Sequence, residues 1–461
     1  MISSIALLVT MALNPATPAP IEAWSGTMSR SGDRLNVRFD LPAGAPQRAT
    51  FSAPDLGAID IPLQHVELGS KMHWELVGDT TTTIFNGELR GRAIAGTFSE
   101  NGRSGAFFLT PVTGASARPY VKRDVTFRDG AVQLSGTLFL PRASGLHPAI
   151  IFVHGSGDEG RWASAFLADY AARHRIVALV YDKRGVGASR GNWRTATVTD
   201  LARDARAGIK LLSRTPGVNP HRIGVYGHSQ GGEIAPAIAE GNSLVSFVID
   251  ADGPIGPQYL QDIYRVNTYL AQHYSGTQLA DAEKVYREFV DVARSGAPHD
   301  RLRADIRGAG SAPWLAALAI PDDSSWIWTW YAHYGDYDDR SAWANVRVPV
   351  LLLFGAKDAL VPVQSSISQV VAILKQSGNA NVTVRIFDDA DHTLHVPPQS
   401  PDGWPHLPDG FPDVIANFIF GNATYKASRA NRSSSGSRPN ASASASASPS
   451  GSSSAATATT R

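Results

Sequence analysis

Apolar and polar positions alternate along the first quarter of the chain with the two-residue period of half-buried β-strands. The run RLNVRFDL (34–41) puts Leu35, Val37, Phe39 and Leu41 on one face. Similar runs follow, separated by Gly-Asp, Asn-Gly and Gly-Arg pairs that suit hairpin turns: IDIPL, KMHWEL, TTIFNGEL, RAIAGTF and GAFFLT. The pattern predicts a small sheet or partial barrel over 21–117. We expect it to pack beside the rest of the chain and shape the rim of a site, with a binding surface of its own as the alternative.

From residue 118 the pattern changes to strands that alternate with helices. A hairpin over 124–141 comes first, and a helix over 200–212 has its apolar positions on one face. Several runs are mainly apolar, as in parallel strands covered on both faces: HPAIIFVHG (147–155), RIVALVYD (175–182), VSFVIDADG (245–253) and PVLLLFG (349–355). The strand NVTVRIFDD (381–389) closes the series. The alternation predicts an α/β domain with a mostly parallel, doubly covered sheet over 118–254 and 346–425.

The interval 255–345 is too long for one crossover helix. It holds helical patterns over 259–271 and 279–293 and then the aromatic tract WIWTWYAHYGDY (326–337). We interpret it as a helical, aromatic-rich cap over the site. Its rings are candidates for substrate contact, although each could instead belong to the core of the cap: Trp326, Trp328, Trp330 and Tyr331.

The two ends of the chain differ in composition from the rest. Residues 5–13 form a short apolar core followed by small residues and prolines, which predicts a signal peptide over 1–20 and a secreted or periplasmic protein. No Lys or Arg precedes this core, so the alternative is a buried strand in a cytoplasmic protein. Residues 426–461 are rich in Ser and Ala and lack core-forming residues, which predicts a disordered tail.

The charge, the hydrophobicity and the cysteine content argue against some kinds of binding partner and exclude some kinds of chemistry. The 461 residues carry 42 basic and 41 acidic side chains, which gives no electrostatic reason to expect nucleic acid or an anionic membrane. No segment reaches the roughly 18 apolar residues of a transmembrane helix, so stable membrane insertion is not expected. The chain has no cysteine, which excludes disulfides and thiolate chemistry. The composition leaves the oligomeric state open.

The stretch RIGVYGHSQGGEIA (222–235) places one serine between a strand pattern and a helix pattern. Gly227 and Gly231 flank Ser229 at the two positions where a side chain would collide in a very tight turn. This spacing matches the G-x-S-x-G elbow, which exposes a nucleophilic serine at the end of a strand.

A serine needs a base, and the base needs a carboxylate that orients it. Asp358 follows the strand PVLLLFG and His392 follows NVTVRIFDD, so both lie in loops at the carboxyl edge of the sheet with Ser229. Asp252 at the end of an earlier strand is the alternative acid, and His395 is the alternative base.

Five stretches in order carry a family resemblance: IIFVHGSG, VYDKRGVGAS, GVYGHSQGG, LLLFGAKDALVP and FDDADH. From residue 121 to 424 the chain resembles α/β-hydrolase serine hydrolases of the carboxylesterase and serine aminopeptidase-like group. The resemblance implies the α/β-hydrolase fold with a cap insertion and an N-terminal β domain. It also implies Ser229 as nucleophile, His392 as base and Asp358 as acid.

Two pieces of chain are expected to bind the oxyanion. One donor is the N–H of Gln230, and the other comes from the His-Gly-Ser-Gly loop (154–157), where we favour the N–H of Ser156 over that of Gly155. His154 is expected to support this loop. The turn Asp182-Lys183-Arg184 is interpreted as structural, with buried ion pairing and no catalytic part.

The predicted function is hydrolysis of a small-molecule carboxylic ester through an acyl-enzyme, with no cofactor. One alternative is a peptidase, which would need a polar anchor for a peptide amine, and another is a noncatalytic binding protein on a degenerate scaffold. Candidates for that anchor are Asp322, Asp323, Asp336 and Asp338. A metal site is not predicted, although several side chains that could bind one cluster in sequence without a known metal spacing: Asp388, Asp389, Asp391, His392 and His395.

Overall fold

The computed structural model describes residues 23–78, 81–112 and 118–421. The predicted signal peptide (1–20) and the predicted tail (426–461) lie outside the described residues. Within the described part, two β-sheets follow one another along the chain, and six helices are inserted in the second. No helix in the described ranges combines the length and the hydropathy that crossing a bilayer requires.

The first sheet has nine antiparallel strands in the order β4-β3-β2-β1-β9-β8-β7-β6-β5. Its two edges, β4 and β5, are separated in sequence by Leu63 alone, so the sheet must curl until the edges approach each other, as in a barrel. Alternation predicted β2, β4 and β6 to β9 but missed the Gly- and Ser-containing β1 and the four-residue β3 and β5. The strands are β1 (Ala23–Arg30), β2 (Asp33–Asp40), β3 (Thr50–Ala53), β4 (Ala58–Pro62), β5 (Gln64–Glu67), β6 (Lys71–Val77), β7 (Thr82–Arg90), β8 (Ala93–Glu100) and β9 (Arg103–Pro111).

Aromatic rings fill the interior of this N-terminal sheet. The fully buried ring of Phe39 lies 5.2 Å from Phe51, 5.4 Å from Trp74 and 5.3 Å from Phe85 between centroids. These rings form the packed core of the N-terminal sheet.

The second sheet has eight strands in the order β10-β11-β13-β12-β14-β15-β16-β17. Strands β10 and β11 pair antiparallel, β11 joins β13 antiparallel, and the remaining pairs are parallel. Every residue of β12, β13, β15 and β16 is buried, as their continuous apolar runs predicted. The strands are β10 (Tyr120–Asp129), β11 (Val132–Pro141), β12 (His147–Val153), β13 (Val177–Tyr181), β14 (Val218–His228), β15 (Val245–Ala251), β16 (Val350–Gly355) and β17 (Val382–Phe387).

Helices cover the second sheet and form an insertion between β15 and β16. The sheet is flanked by α1 (Ala165–Arg173), α2 (Val198–Ser213), α3 (Gln230–Ala239) and α10 (Val363–Gln376). The helical insertion, which keeps this name below, consists of α4 (Gln258–His273), α5 (Gly276–Ser295), α6 (Asp300–Ala309), α7 (Trp314–Leu318), α8 (Trp326–Tyr334) and α9 (Arg340–Trp343). It has its own apolar core, centred on Leu270, Val290 and Leu302.

Polar contacts attach the N-terminal sheet to the second domain. Asp60 in β4 binds Arg118 and Lys122. Burial alone would raise the pKa of Asp60, but these two cations outweigh it and lower the pKa to about 2. The ring of His395 is hydrogen-bonded to the carbonyl of Leu56 at 3.2 Å, so the N-terminal sheet contacts the loop that carries His392.

Candidate active site

Ser229 occupies a strained turn between β14 and α3. Its backbone has φ 53° and ψ −118°, a conformation that costs a residue with a Cβ on the order of 1–3 kcal/mol. A Cβ on Gly227 would lie 2.0 Å from the carbonyl oxygen of Gly231, and a Cβ on Gly231 would lie 2.4 Å from that of Val153. Both glycines are therefore required by the close approach of the backbone, as the motif predicted.

A chain of hydrogen bonds connects Ser229 to a histidine and a carboxylate. Nε2 of His392 lies 2.9 Å from Oγ of Ser229, and Nδ1 lies 2.7 Å from Oδ2 of Asp358. The other oxygen of Asp358 accepts the N–H groups of Leu360 at 2.7 Å and Val361 at 2.9 Å, which fixes the carboxylate. The structure thus brings the three predicted side chains together, with the imidazole able to accept the serine proton at one nitrogen and the carboxylate orienting the other.

The two alternative residues have other partners. Asp252 lies behind Asp358, fully buried, with Oδ1 accepting the N–H of Gly355 at 2.9 Å. Burial, followed by the charge of Asp358, raises the pKa of Asp252 well above its ordinary range. His395 contacts Thr393 and Leu56 instead of Ser229.

The N–H groups predicted to bind an oxyanion lie near Ser229. They differ in whether the N–H is already donated to another group. Gln230 is the first residue of α3, where an N–H has no partner within the helix and the positive end of the helix dipole lies. The N–H of Gly155 is already donated to Glu159 Oε2 at 2.9 Å. Ser156 lines the same cavity as Ser229, which favours its N–H as the second donor.

Two other histidines near Ser229, buried His154 and half-buried His228, are hydrogen-bonded to backbone carbonyls. His154 is hydrogen-bonded to the carbonyl of Tyr181, and burial lowers the pKa of His154 to about 3. His228 bonds the carbonyl of His392 at 2.9 Å, and burial lowers the pKa of His228 to about 4. Both rings are therefore neutral at pH 7.

A cavity of about 490 Å³, called the serine cavity below, opens beside the predicted nucleophile. Its lining includes acidic and basic side chains, and Oε1 of Glu233 is buried with no hydrogen-bond partner among the described residues. Burial raises the pKa of Glu233 well above its ordinary range, and Tyr334 donates to its carboxyl at 2.7 Å. The cavity is lined by Ser229, His392, Gln230, Ser156 and Trp330, together with Glu159, Glu233, Gln258, Gln261, Asp262 and Arg265.

A second cavity of about 500 Å³, called the apolar chamber below, lies between the helical insertion and the Ser156–Asp158 loop. It shares Ser156, Asp262, Arg265 and Trp330 with the serine cavity. Its remaining lining is mainly apolar or aromatic: Trp193, Val266, Tyr286, Phe289, Ala317, Leu318, Ala319, Pro321, Trp326, Ile327 and Tyr331, with Gly157, Asp158 and Arg194. The two cavities therefore meet at the Asp262–Arg265 pair.

The structure separates the four aromatic residues predicted to contact substrate. Trp330 lines both cavities, whereas Trp326 and Tyr331 line the apolar chamber. Trp328 lines neither; its indole stacks on His299 at 4.0 Å and donates to the carbonyl of Asp322 at 2.7 Å. Positions two residues apart point to opposite sides of a helix, so the Trp-x-Trp-x-Trp spacing cannot present all three indoles to one cavity.

The sequence did not identify several of the residues that line the two cavities. Glu233 lies one helical turn after Ser229, and Asp262 and Arg265 are an i, i+3 pair on α4. The first spacing indicates a shared helix face and could have identified Glu233. No spacing in the sequence identifies Asp262 and Arg265 as lining residues. The alternation of apolar and polar residues along α4 does not show which element its polar face contacts.

The other acidic candidates are engaged away from Ser229. Asp323 binds His299 and Arg303, Asp336 binds Arg294, and Asp338 binds Arg340. Asp322 accepts the hydroxyl of Ser324 at 2.7 Å. In the sequence cluster around His392, Asp389 binds Lys357 and Asp391 accepts from Thr393. No group of three or more residues suited to a metal occurs in the ranges that the structure describes.

Comparison with known proteins identifies the family. The model of the alpha/beta hydrolase family matches residues 150–404, more than half of the chain. The chain therefore belongs to the alpha/beta hydrolase family, and the resemblance drawn from its motifs is confirmed.

The proteins that this chain is similar to include esterases and a peptidase. Esterase EstD of Thermotoga maritima is 25% identical over 283 residues, which make up 60% of this chain and 60% of EstD. An esterase of Pyrococcus furiosus has a similar structure with a TM-score of 0.45 and 19% identity, covering 68% of this chain and 96% of that one. A proline iminopeptidase of Mycobacterium smegmatis gives a TM-score of 0.44 and 18% identity over 66% and 100% of the two chains.

Proposed function

We propose that this protein is a serine hydrolase that cleaves small carboxylic esters through an acyl-enzyme. The observation that carries the proposal is the continuous hydrogen-bonded chain from Ser229 through His392 to Asp358, at 2.9 and 2.7 Å. Both distances are within the range in which a base can take the proton of a nucleophile. The esterase EstD among the relatives adds support at the level of the family.

The mechanism follows from the positions of these groups. His392 removes the proton of Ser229 as the hydroxyl oxygen attacks the ester carbonyl, and Asp358 stabilises the imidazolium that forms. The carbonyl oxygen becomes an oxyanion that accepts hydrogen bonds from the N–H groups of Gln230 and Ser156. His392 then protonates the leaving alcohol, and a water molecule repeats the sequence to release the acid.

The lining of the apolar chamber favours a substrate whose acyl group is uncharged and apolar. Its charged lining residues form two pairs, Asp262 with Arg265 at 2.6 Å and Asp158 with Arg194 at 2.5 Å. Tyr286 and Tyr331 also donate to Asp262, so its carboxylate is fully engaged. A charged substrate group would have to compete with these partners, whereas a hydrocarbon chain gains by leaving water.

The same contacts weigh against an aminopeptidase. A substrate ammonium group needs an anionic partner near the serine, and the four acidic candidates from the sequence do not line the serine cavity. Three other acidic residues line it. The oxygens of Asp262 are taken by Arg265, Tyr286 and Tyr331. Glu159 accepts the N–H of Gly155, and burial raises the pKa of Glu233, which disfavours an anionic carboxylate there. We therefore favour ester substrates.

Steady-state rates on matched substrates test the proposal. We expect turnover of 4-nitrophenyl esters with a preference for short to medium-length apolar acyl chains, and an initial burst of nitrophenol as the acyl-enzyme accumulates. Aminoacyl nitroanilides should be hydrolysed far more slowly. Preferred anilide turnover would assign a peptidase, and no reaction with either class by the folded protein would favour a noncatalytic binding protein.

The size of the apolar chamber should set the acyl-length preference. Ala317 in α7 lines the chamber, so Ala317→Phe should reduce kcat/KM for octanoate relative to acetate by about tenfold, because each excluded methylene costs about 1–3 kcal/mol. Ala316 is exposed and lines neither cavity, so Ala316→Phe is the matched control and should keep the wild-type profile. An unchanged chain-length profile in Ala317→Phe would place the acyl group elsewhere.

A further inference from the structure

Lys183 is a buried lysine whose contacts join the two segments of the predicted oxyanion site. Its side chain is 3% exposed, and its ammonium group donates to the carbonyl oxygens of Gly155 and of Gly157, the latter at 3.0 Å. The third donor contact is with Oε1 of Gln230 at 3.2 Å. One ammonium group therefore contacts the loop that carries the N–H of Ser156 and the residue that carries the other predicted donor.

These contacts set Lys183 apart from its neighbours in sequence. Asp182 pairs with Arg161 at 2.8 Å, and Arg184 pairs with Asp204 at 2.6 Å, as expected for a structural turn with buried ion pairs. Lys183 instead donates to two backbone carbonyls and one amide oxygen, and lies over the ring of Trp193 at 5.0 Å. A lysine that serves only to balance a carboxylate would not need this set of partners.

The geometry of the peptide unit explains what the contact with Gly155 achieves. The carbonyl of Gly155 and the N–H of Ser156 belong to one planar trans peptide, so the two groups point in opposite directions. Holding the carbonyl against Lys183 turns the N–H of Ser156 away from Lys183. The N–H of Gly155 is held by Glu159 at 2.9 Å, so this part of the loop is fixed on both sides.

We propose that Lys183 is a positioning residue that aligns the N–H groups of Ser156 and Gln230 for the oxyanion. The inference rests on the proposed esterase function. A cation at the carbonyl end of the Gly155–Ser156 peptide also polarises that peptide, which strengthens hydrogen-bond donation by its N–H at the other end. Burial lowers the pKa of Lys183 to about 8, and Glu159 and Asp158 oppose that effect, so the amine is protonated at neutral pH.

A transition-state analogue separates this role from a purely structural one. A trifluoromethyl ketone forms a hemiketal with the serine whose charged oxygen occupies the oxyanion site, whereas the ground-state ester carries no such charge. In Lys183→Met we expect kcat for a 4-nitrophenyl ester to fall about 10- to 100-fold with KM nearly unchanged. The inhibition constant of the ketone should rise by the same factor.

Exposed Lys210 in α2 provides the matched control, and Lys210→Met should leave kcat and the inhibition constant unchanged. If Lys183→Met does not fold, as judged by thermal unfolding, Gln230→Met removes one acceptor of the same ammonium group and should show a smaller parallel change in both constants. A folded variant with wild-type kcat and ketone affinity would overturn the proposal, and so would a loss of kcat without weaker ketone binding. Inactive wild-type protein would instead refute the proposed function.

Discussion

Replacing His392 by alanine is expected to reduce kcat/KM for a 4-nitrophenyl ester by about 10⁵-fold or more, because the serine then lacks its base. Nε2 of His392 lies 2.9 Å from Oγ of Ser229, and the ring is held from the other side by Asp358. The neighbouring His154 and His228 cannot substitute, since their hydrogen bonds to backbone carbonyls direct them elsewhere. The loss should appear in kcat with little change in KM.

His395 gives a matched comparison three residues along the same loop. Its ring contacts Thr393 and the carbonyl of Leu56, so His395→Ala should change kcat less than about fivefold and act mainly on the contact with the N-terminal sheet. Measuring both variants in one assay, with thermal unfolding to verify folding, identifies the base. An active His392→Ala variant beside an inactive His395→Ala variant would reassign that role.

Replacing Asp358 by asparagine is expected to reduce kcat by about 10⁴-fold while the fold is retained. The amide oxygen can still accept the N–H groups of Leu360 and Val361, which the carboxylate now accepts at 2.7 and 2.9 Å. An amide nitrogen facing Nδ1 of His392 would favour the tautomer with its proton on Nε2. That nitrogen could then no longer accept the proton of Ser229.

Asp252→Asn is the control for the second carboxyl group. Burial and the charge of Asp358 raise the pKa of Asp252 well above its ordinary range. This shift favours the protonated carboxyl, for which an amide is a close substitute. Its bond from the N–H of Gly355, at 2.9 Å, can be kept. We expect kcat within about fivefold of the wild-type value. A loss as large as that of Asp358→Asn would show that Asp252 takes part in the reaction.

Much of the second sheet could be predicted because its central strands are buried on both faces. That burial demands continuous apolar runs, and the runs at β12, β13, β15 and β16 were visible in the sequence. Strand β17 lies at an edge of the sheet and is mostly exposed or half-buried. Strands β3 and β5 were missed because four residues are too few to display a period of two. The near-closure of the N-terminal sheet also depends on pairings between distant segments, which no local pattern records.

The candidate site was predictable where backbone geometry demands particular residues. Gly227 and Gly231 mark the turn at Ser229 because no larger side chain fits there. The local sequence does not show which of Asp252 and Asp358 orients the histidine, because both follow buried strands. Only the position of the His392 ring in the structure distinguishes the two carboxylates. The contacts of Lys183 could not be predicted either, because its partners Gly155 and Gln230 lie in two other segments of the chain.

The central claim, that Ser229 is the nucleophile, is tested most directly by mass spectrometry of the protein after reaction with a fluorophosphonate. We predict one adduct per chain, located on the peptide that contains Ser229, and none in Ser229→Ala. Exposed Ser368 in α10 supplies the control, and Ser368→Ala should be labelled like the wild type. A folded wild-type protein that remains unlabelled, or an adduct on a different residue, would contradict the account.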